Sequence, residues 1–388
     1  MASENLRVPL SRGEVTGLVF RLTLFGALTY FGIKWMVNAI DPTRKQKVEA
    51  KKRADRILKR IGVTNVNLTE YELSIAAQLI DPRDINICWE SIAGLEEITQ
   101  ELRETVILPI QKRDLFTGSQ LIQPPKGKKQ TREDTYNFFL YVPGVLLHGP
   151  PGCGKTMIAK ATAREAGARF INLEVAALTD KWYGESQKLA AAVFTLAVKI
   201  QPCIVFIDEI DSFLRSRDSQ DHEATAMMKA QFMCLWDGLI TDPSCQVVVM
   251  GATNRPHDVD KAILRRMPAM FHVGLPNVEQ RAGIVQLILK TEALSEDVNL
   301  TRIARQTEGF SGSDLRELCR NAALYRVRDL LRDEKAREGQ QKEESDDEDI
   351  FHDALRPISM EDFTNALSKM KSSKVLAHHR LPMPLDLD

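Results

Sequence analysis

Short apolar runs of strand length alternate with segments of helical periodicity through the middle of the chain. The apolar runs begin at Gly144, Arg169, Cys203 and Gln246, and helical patterns follow the first two. Continuous apolar strands separated by helices are typical of a parallel sheet that is buried on both faces. Residues 89–275 are therefore predicted to form a doubly wound parallel sheet of the α/β class.

The pattern becomes helical from Pro276 onward. Apolar residues recur at helical spacing in EQRAGIVQLILK and DLRELCRNAALYRVRDLLRDEKAR, and RPISMEDFTNALSKM adds a helix with Ser359 and Asp362 in capping positions. An acidic run, EESDDED, predicts a solvated insertion. The expected boundaries are 276–370 for a small helical subdomain, 333–350 for the insertion within it and 371–388 for a C-terminal tail.

One apolar stretch, LVFRLTLFGALTYFGIKWMVNAI at 18–40, lies near the amino terminus. A helix of this length would reach roughly 35 Å and could cross a bilayer core. Arg21 and Lys34 lie close enough to its ends to extend toward the headgroups. Nine basic and three acidic residues follow at 41–60, and basic flanks prefer the cytoplasmic side. The sequence predicts a transmembrane anchor after a tail at 1–17, with the rest of the chain in the cytosol.

Two other interpretations of this stretch are disfavoured. A cleaved secretory signal would have a basic start and a small-residue cleavage site, and a transit peptide would lack acidic residues. The next segment, 41–88, is charged at first and then places Tyr71, Ile75 and Leu79 at helical spacing before Asp81. It is predicted to be a helical linker domain.

Composition narrows the classes of function. Lys plus Arg (52) nearly balance Asp plus Glu (53), so no global basic field indicates a nucleic-acid partner. The 44% hydrophobic content is ordinary for a globular protein with a sizeable core. Six cysteines are far apart and form no CxxC pair, which disfavours a zinc site or a disulfide framework. A reducing compartment is expected.

The run from Gly144 ends in a glycine-rich loop that opens a helix, GVLLHGPPGCGKTMIAKATARE. Residues 149–156 fit GxxxxGK[ST], in which backbone N–H groups and the helix amino terminus surround phosphates. Lys155 is expected to reach the β- and γ-phosphates, and the Thr156 hydroxyl to ligate Mg²⁺. The predicted ATP-binding residues of this loop are Gly149, Pro150, Pro151, Gly152, Cys153, Gly154, Lys155, Thr156 and Met157.

The next two strands bring polar side chains to the same edge of the predicted sheet. CIVFIDEID ends in Asp208, expected to hold Mg²⁺ through water, and Glu209, expected to polarise the attacking water. QVVVMGATN ends in Asn254, whose amide could orient that water or sense the γ-phosphate. A solvated turn is the alternative for the paired carboxylates, but a buried strand places them beside the phosphate loop.

The order SIAGLEEI, GPPGCGKT, KWYGES, VFIDEID, GATNRP, LRR and GFSGSDL resembles AAA ATPases of the meiotic clade from about Trp89 to Met370. Within that clade the chain is most similar to the mitochondrial outer-membrane extractases that sort mislocalised proteins. The resemblance implies a large α/β subdomain, a small helical subdomain and a homohexamer. It also implies that Ile92, Ala93, Gly94, Gly312 and Ser313 flank the adenine and ribose.

The resemblance assigns roles to further residues. Trp182 and Tyr183 would lie in a first pore loop that grips an extended polypeptide, and His222 would contact it from a second loop. For His222 a merely solvated side chain stays an open alternative. Arg265 and Arg266 would act as arginine fingers in the site of the neighbouring subunit.

Together these features predict a membrane-anchored ATPase that uses ATP and Mg²⁺ to extract tail-anchored proteins. The mitochondrial outer membrane and the peroxisome both suit the short span. A microtubule-severing ATPase resembling spastin is less expected, because no long basic linker lies between Arg60 and Trp89. A membrane adaptor that binds nucleotide without hydrolysing it is disfavoured by the intact Asp208–Glu209 pair.

Overall fold

A computed structural model of the chain describes residues 67–112, 144–174, 185–213, 223–241, 245–338 and 355–379, with scattered positions between 17 and 57. The described residues form a six-stranded sheet between two layers of helices, followed by a helical lid. The α/β fold with a helical subdomain after it is therefore confirmed.

The sheet has the strand order β1-β3-β4-β5-β2-β6. The four central strands are almost entirely buried, as expected where helices cover both faces of a sheet. The strands are β1 (Leu79–Ile80), β2 (Gly144–His148), β3 (Arg169–Leu173), β4 (Cys203–Ile207), β5 (Val247–Thr253) and β6 (Ala269–His272).

One edge of the sheet differs from the prediction of a parallel sheet. Strand β1 pairs with β3 in the antiparallel direction, with Leu79 opposite Ile171, while the other strand pairs are parallel. The helical pattern expected to continue through Leu79 instead ends at Ala76. Two residues are too few to give a strand periodicity, and only Asp81 separates them from Pro82. The sheet is mixed rather than parallel.

The helices alternate with the strands and then continue alone. A π-helical turn, Arg103–Ile107, joins the second helix to the third. The helices are α1 (Glu70–Ala76), α2 (Glu96–Leu102), α3 (Leu108–Gln111), α4 (Lys155–Ala166), α5 (Glu185–Lys199), α6 (Ile210–Phe213), α7 (Glu223–Thr241), α8 (Lys261–Leu264), α9 (Val278–Ile288), α10 (Leu300–Gln306), α11 (Gly312–Glu338) and α12 (Met360–His379).

Two hydrophobic cores lie on opposite faces of the sheet. On one face, α1, α5 and α7 pack around Phe232 and Trp236, which are fully buried. On the other face, α2 and α4 pack over Phe170 and Phe206, whose rings stack with centroids 5.6 Å apart. Because both faces are covered, polar groups can leave the sheet only at its edges and at the ends of its strands.

The lid is built from α9 to α12 around a third core that includes Leu318 and Phe363. Arg356 joins α11 to α12 by ion pairs to Asp329 (2.5 Å) and Asp362 (2.6 Å). Helix α11 continues to Glu338, within the segment predicted to be a solvated insertion, and the rest of that insertion lies outside the described residues. Helix α12 continues to His379, past the boundary predicted for the tail.

No helix in the described part of the chain is both long and apolar enough to cross a bilayer. The anchor predicted at 18–40 is described only at residues 21–26, 28–30 and 32.

Candidate nucleotide site

The glycine-rich loop between β2 and α4 is seated against two neighbouring segments. Gly149 has φ +143° and Gly152 has φ +76°, which favour glycine. A Cβ atom at Gly149 would lie 2.1 Å from the carbonyl oxygen of Val273, and one at Gly152 would lie 2.1 Å from Oγ of Ser313. The loop therefore requires glycine at both positions, and its backbone is fixed from two sides.

Lys155, the first residue of α4, is held inside this loop. It is 8% exposed, and its Nζ donates to the carbonyl oxygens of Gly149 (2.8 Å) and Pro150 (2.7 Å) and to Oδ1 of Asn254 (2.7 Å). Burial lowers the pKa of Lys155, while Cys153 and Asp208 act in the opposite direction. The structure thus brings the predicted phosphate-binding lysine and the predicted sensor asparagine into direct contact.

Thr156 and Asp208 also meet at this point. The Thr156 hydroxyl donates to Oδ2 of Asp208 over 2.8 Å, and Oδ1 of Asp208 accepts the backbone N–H of Glu209 at 3.0 Å. A hydroxyl and a carboxylate are hard oxygen ligands of the kind that Mg²⁺ binds together with phosphate and water. The pair therefore fits the predicted metal position.

The described residues contain no cluster of three or more His, Cys, Asp or Glu side chains that could hold a metal alone. A metal at Thr156 and Asp208 would take water and the phosphates of the nucleotide as further ligands. This is the usual arrangement for Mg²⁺ in phosphoryl-transfer sites.

Glu209 occupies an unusual backbone conformation at the end of β4. Its φ is +49°, in the left-handed region that residues other than glycine seldom adopt. Two hydrogen bonds hold this conformation. The Glu209 N–H donates to Oδ1 of Asp208, and the Glu209 carbonyl accepts the N–H of Ser212 (2.8 Å). Strain of this kind, about 1–3 kcal/mol, occurs often at functional sites. Glu209 is also among the residues that line the cavity described next.

A cavity of about 420 Å³ opens between the loop and the lid, a size typical of sites for small ligands. Most of the predicted residues line it. They are Ile92, Ala93, Gly94, Pro151, Gly152, Cys153, Gly154, Lys155, Thr156, Met157, Asp208, Glu209, Asn254, Gly312 and Ser313. Gly149 and Pro150 do not line it, but they contribute the carbonyl groups that bind Lys155.

Several lining residues were missed by the sequence analysis. Ile284, Leu287 and Ile288 form an apolar wall on α9, and their three- and four-residue spacing was visible in the sequence. Other lining residues that the sequence did not indicate are Ser91, Leu95, Gly274 and Pro276. An apolar wall opposite a phosphate loop suits a planar base.

Arg316 was also missed, and it changes the charge of the cavity. It is the only basic residue besides Lys155 among the lining residues. It lies one turn after Gly312 on α11, on the same face of the helix. Gly312 and Arg316 both line the cavity, so this turn of α11 faces it.

Two hydrogen bonds join the lid to the large subdomain on either side of this cavity. The N–H of Ser313 donates to the Gly152 carbonyl (3.1 Å), and Nε2 of Gln280 donates to the Gly94 carbonyl (2.6 Å). Gly94 has φ +80°, and a Cβ there would lie 2.6 Å from Cβ of Gln280. The predicted adenine-flanking residues are therefore held by contacts with the lid.

The two predicted arginine fingers lie away from this cavity. Arg266 makes a bidentate pair with Asp237, both bonds being 2.7 Å, and these bonds raise its pKa. Its carbonyl oxygen approaches Gly144, at the amino-terminal end of β2, whereas the phosphate loop follows the other end. Arg265 is exposed. Neither arginine can serve the cavity of its own chain.

The predicted polypeptide-gripping residues, Trp182, Tyr183 and His222, lie outside the described residues. The neighbouring elements are described: β3 ends at Leu173, α5 begins at Glu185 and α7 begins at Glu223.

Known families match both parts of the chain. Residues 145–275 match the ATPase family associated with various cellular activities (AAA), and residues 297–342 match the AAA+ lid domain. Among solved structures, the AAA domain of FIGL-1 in complex with ADP aligns with a TM-score of 0.60 at 32% identity. That alignment covers 81% of this chain and 98% of the FIGL-1 chain.

Curated relatives cover nearly the whole chain. A Danio rerio protein named outer mitochondrial transmembrane helix translocase is 61% identical over 100% of this chain and 98% of its own length. The Homo sapiens protein of the same name is 59% identical, with 98% of each chain covered. The mitochondrial sorting homolog of Caenorhabditis elegans is 49% identical over 82% of this chain and 87% of its own length.

Proposed function

The chain belongs to the AAA family and is an ATP-hydrolysing enzyme, and from that premise we propose that it extracts mislocalised, tail-anchored proteins from membranes. The mitochondrial outer membrane is the proposed main site of action, with the peroxisomal membrane as a second. The main support is full-length similarity to proteins named transmembrane helix translocases, in a chain whose cavity keeps Lys155, Thr156, Asp208 and Glu209 together.

The proposed chemistry is hydrolysis of the terminal phosphoanhydride of ATP. Lys155 binds the β- and γ-phosphates, and Thr156 and Asp208 hold Mg²⁺, which neutralises developing charge. Glu209 accepts a proton from the attacking water, and Asn254 orients that water or senses the γ-phosphate. Because Asn254 accepts a hydrogen bond from Lys155, a phosphate that binds Lys155 would change the contacts of both residues together.

The proposed assembly is a homohexamer in which each cavity is completed by a neighbour. Support comes from the position of Arg265, exposed and at the opposite end of the sheet from the phosphate loop of its own chain. In a ring, that edge can face the cavity of the next subunit. Trp182 and Tyr183 of each copy would then line a central pore and pull an extended client.

The proposed attachment is a single transmembrane helix at 18–40, with the ATPase in the cytosol. Five apolar side chains described in this stretch are each more than half exposed: Leu22, Leu24, Phe25, Leu28 and Tyr30. A solvent-exposed apolar surface of this kind is suited to lipid contact. The nine basic residues at 41–60 then favour the cytosolic side of the membrane.

Glu209→Gln in the full-length protein tests the proposal. Reconstituted in liposomes with a fluorescent tail-anchored reporter, the wild type should release reporter with ATP. Glu209→Gln should still bind ATP, but turnover and release should fall by about two orders of magnitude or more, because the water is no longer activated. Glu174→Gln, an exposed glutamate directly after β3, is the matched control and should keep wild-type turnover.

Two results would contradict the proposal. Wild-type protein that hydrolyses ATP but leaves the reporter in the bilayer would remove extraction as its function. Turnover near wild type in Glu209→Gln would remove Glu209 from the assigned role. Strong stimulation of turnover by tubulin would favour microtubule severing instead.

A further inference from the structure

A buried carboxylate fastens α1 to α5. Glu72 is 2% exposed, and its oxygens accept bonds from Nζ of Lys199 (2.8 and 2.9 Å), Oγ1 of Thr195 (2.8 Å) and the N–H of Thr69 (2.8 Å). Burial raises the pKa of Glu72, but the bonds from Lys199, Thr69 and Thr195 lower it more, so the pKa lies below its ordinary value. Glu72 is therefore charged and fully paired.

The contact extends along much of α5. Lys199 also donates to the Asn67 carbonyl (3.0 Å), and Nζ of Lys188 lies 5.8 Å from the centre of the Tyr71 ring. Lys188 and Lys199 are separated by about 16 Å of helix. Ile75 and Ala76 of α1 are buried in the same hydrophobic core as α5. Lysines near both ends of α5 therefore converge on Tyr71 and Glu72 of α1, and together with the shared core they restrain α1 against α5.

Helices α1 and α5 each follow a segment to which the sequence analysis assigned a role. Helix α1 is the first complete helix described after the predicted anchor at 18–40 and the basic segment at 41–60. Helix α5 begins directly after the predicted pore-loop residues Trp182 and Tyr183. The contact between α1 and α5 therefore joins the segment that leads from the membrane to the helix that carries the pore loop.

We propose that Glu72 is a positioning residue for extraction, which locks the membrane-proximal helix to the pore-loop helix so that the pull on a client is resisted by the anchor. The inference rests on the proposed function. An enzyme that pulls on a client in the same membrane needs a stiff connection between its pore and its own anchor. Without that connection, part of each stroke moves the linker segment instead of the client.

The chemistry at Glu72 fits this role. An ion pair between two exposed side chains contributes little and allows many geometries. Here the Lys199 side chain is 34% exposed, but the Glu72 carboxylate is buried, and its oxygens accept bonds from three residues in fixed positions. Glu72 also occupies the third position of the capping box with Thr69, which fixes the start of α1. The ion pair of Glu72 with Lys199 therefore fixes the position of α1 on α5, and the capping box with Thr69 fixes the residue at which α1 begins.

Glu72→Gln separates these two tasks. Glutamine at this position can still accept the bond from the Thr69 N–H, because either Glu or Gln completes a capping box. It carries no charge, so the ion pair with Lys199 is lost. Glu70→Gln is the matched control, since Glu70 is exposed on the same turn of α1. Neither residue lines the nucleotide cavity.

The measurements are ATP turnover, reporter release from liposomes and translocation of a soluble unfolded polypeptide, all with the full-length protein. For Glu72→Gln we expect release per ATP to fall about fivefold, with turnover and soluble translocation within about twofold of wild type. Glu70→Gln should match the wild type. A loss confined to membrane clients is not what general destabilisation would produce, since an unstable subunit loses turnover as well.

Release per ATP equal to that of Glu70→Gln would overturn the inference, as would a parallel fall in turnover and release. If Glu72→Gln folds poorly, Thr195→Val removes one bond to Glu72 and keeps the ion pair, and it should show a smaller loss of the same kind. A wild type that releases no reporter would instead refute the proposed function, so the two failures are distinguishable.

Discussion

The two ends of the central strands have different tasks. At the carboxyl end, Lys155 donates to Asn254 and Thr156 donates to Asp208, all within one chain. At the amino end, Arg265 is exposed, and Arg266 is bound to Asp237. Strand β2 separates the two ends by about 16 Å. One chain therefore contains a nucleotide-binding end and an arginine-bearing end that cannot meet each other.

The two arginines also differ from each other, although they are adjacent in sequence. The Asp237 carboxylate holds Arg266 in a planar bidentate pair, which fixes the direction of the residues that follow α8. Arg265 is the arginine available to a second chain. Sequence reasoning treated the pair as equivalent, because the partner of Arg266 is 29 residues away along the chain.

The largest expected effect comes from removing Arg265. We expect Arg265→Ala to bind ATP normally and to lose turnover by about 10³-fold, the lower range for an arginine finger. Mixing it with Lys155→Ala, which cannot use its own cavity, should restore part of the turnover, because the intact cavity of one subunit then meets the intact arginine of the other. Steady-state phosphate release measures both.

If the mixed sample recovered no turnover, Arg265 would act within its own chain. The proposal that the amino end of one sheet serves the nucleotide cavity of the next subunit would then be wrong. Arg302→Ala is the control, since Arg302 is an exposed arginine of the lid that does not line the cavity. It should leave turnover unchanged in every mixture.

An intermediate effect is expected at Arg316, on the nucleotide-binding end. Arg316→Ala should weaken binding of ATP and ADP about tenfold, because a charged hydrogen-bond donor to phosphate is lost, and should change kcat less than about twofold. Arg320→Ala is the control: Arg320 lies one turn further along α11 and pairs with Glu317 at 2.8 Å. Titration with a fluorescent nucleotide measures both variants, and equal affinities in the two would remove Arg316 from the site.

The smallest expected effect concerns His148, the residue before the phosphate loop. Burial lowers its pKa below 6.5, with help from His272, Lys155 and His257, and the His272 ring centre is 5.2 Å away. Because the folded protein holds His148 in its neutral form, protonation of His148 costs stability. The stability that neutral His148 contributes is present above about pH 6.5 and is lost as the pH falls through the folded-state pKa.

The melting temperature should therefore fall between about pH 7.5 and about pH 5.5, and His148→Phe should reduce that fall by about 2 °C. Thermal unfolding followed by circular dichroism at several pH values measures the difference. Identical pH dependence in the two proteins would show that His148 does not titrate with folding.

Much of the fold could be predicted because its signals are local. The runs that became β2 to β5 are apolar, and the glycine-rich loop, Asp208 and Asn254 follow strands whose ends meet at one edge of the sheet. The resemblance to AAA ATPases is confirmed by the matched families and relatives. Trp182, Tyr183 and His222 stay predictions.

What could not be predicted depends on distant contacts. Strand β1 is two residues long and acquires its direction only from pairing with β3. Arg316 has the pattern of a solvated helix residue, and only the closure of the lid over the loop places it in the cavity. Gln280 likewise reaches Gly94 across 186 positions of sequence. Sequence periodicity relates residues a few positions apart, so it does not predict contacts between residues this far apart in the chain.

The three oxygen partners of Lys155 have a further consequence for the working cycle. Its ammonium group has three N–H donors, and the Gly149 carbonyl, the Pro150 carbonyl and Oδ1 of Asn254 accept one each. A phosphate oxygen that binds this ammonium group therefore exchanges places with at least one of these acceptors. Such an exchange would link the arrival of each nucleotide at the loop to a rearrangement at the carboxyl end of β5, which suits a motor whose steps must keep pace with its fuel.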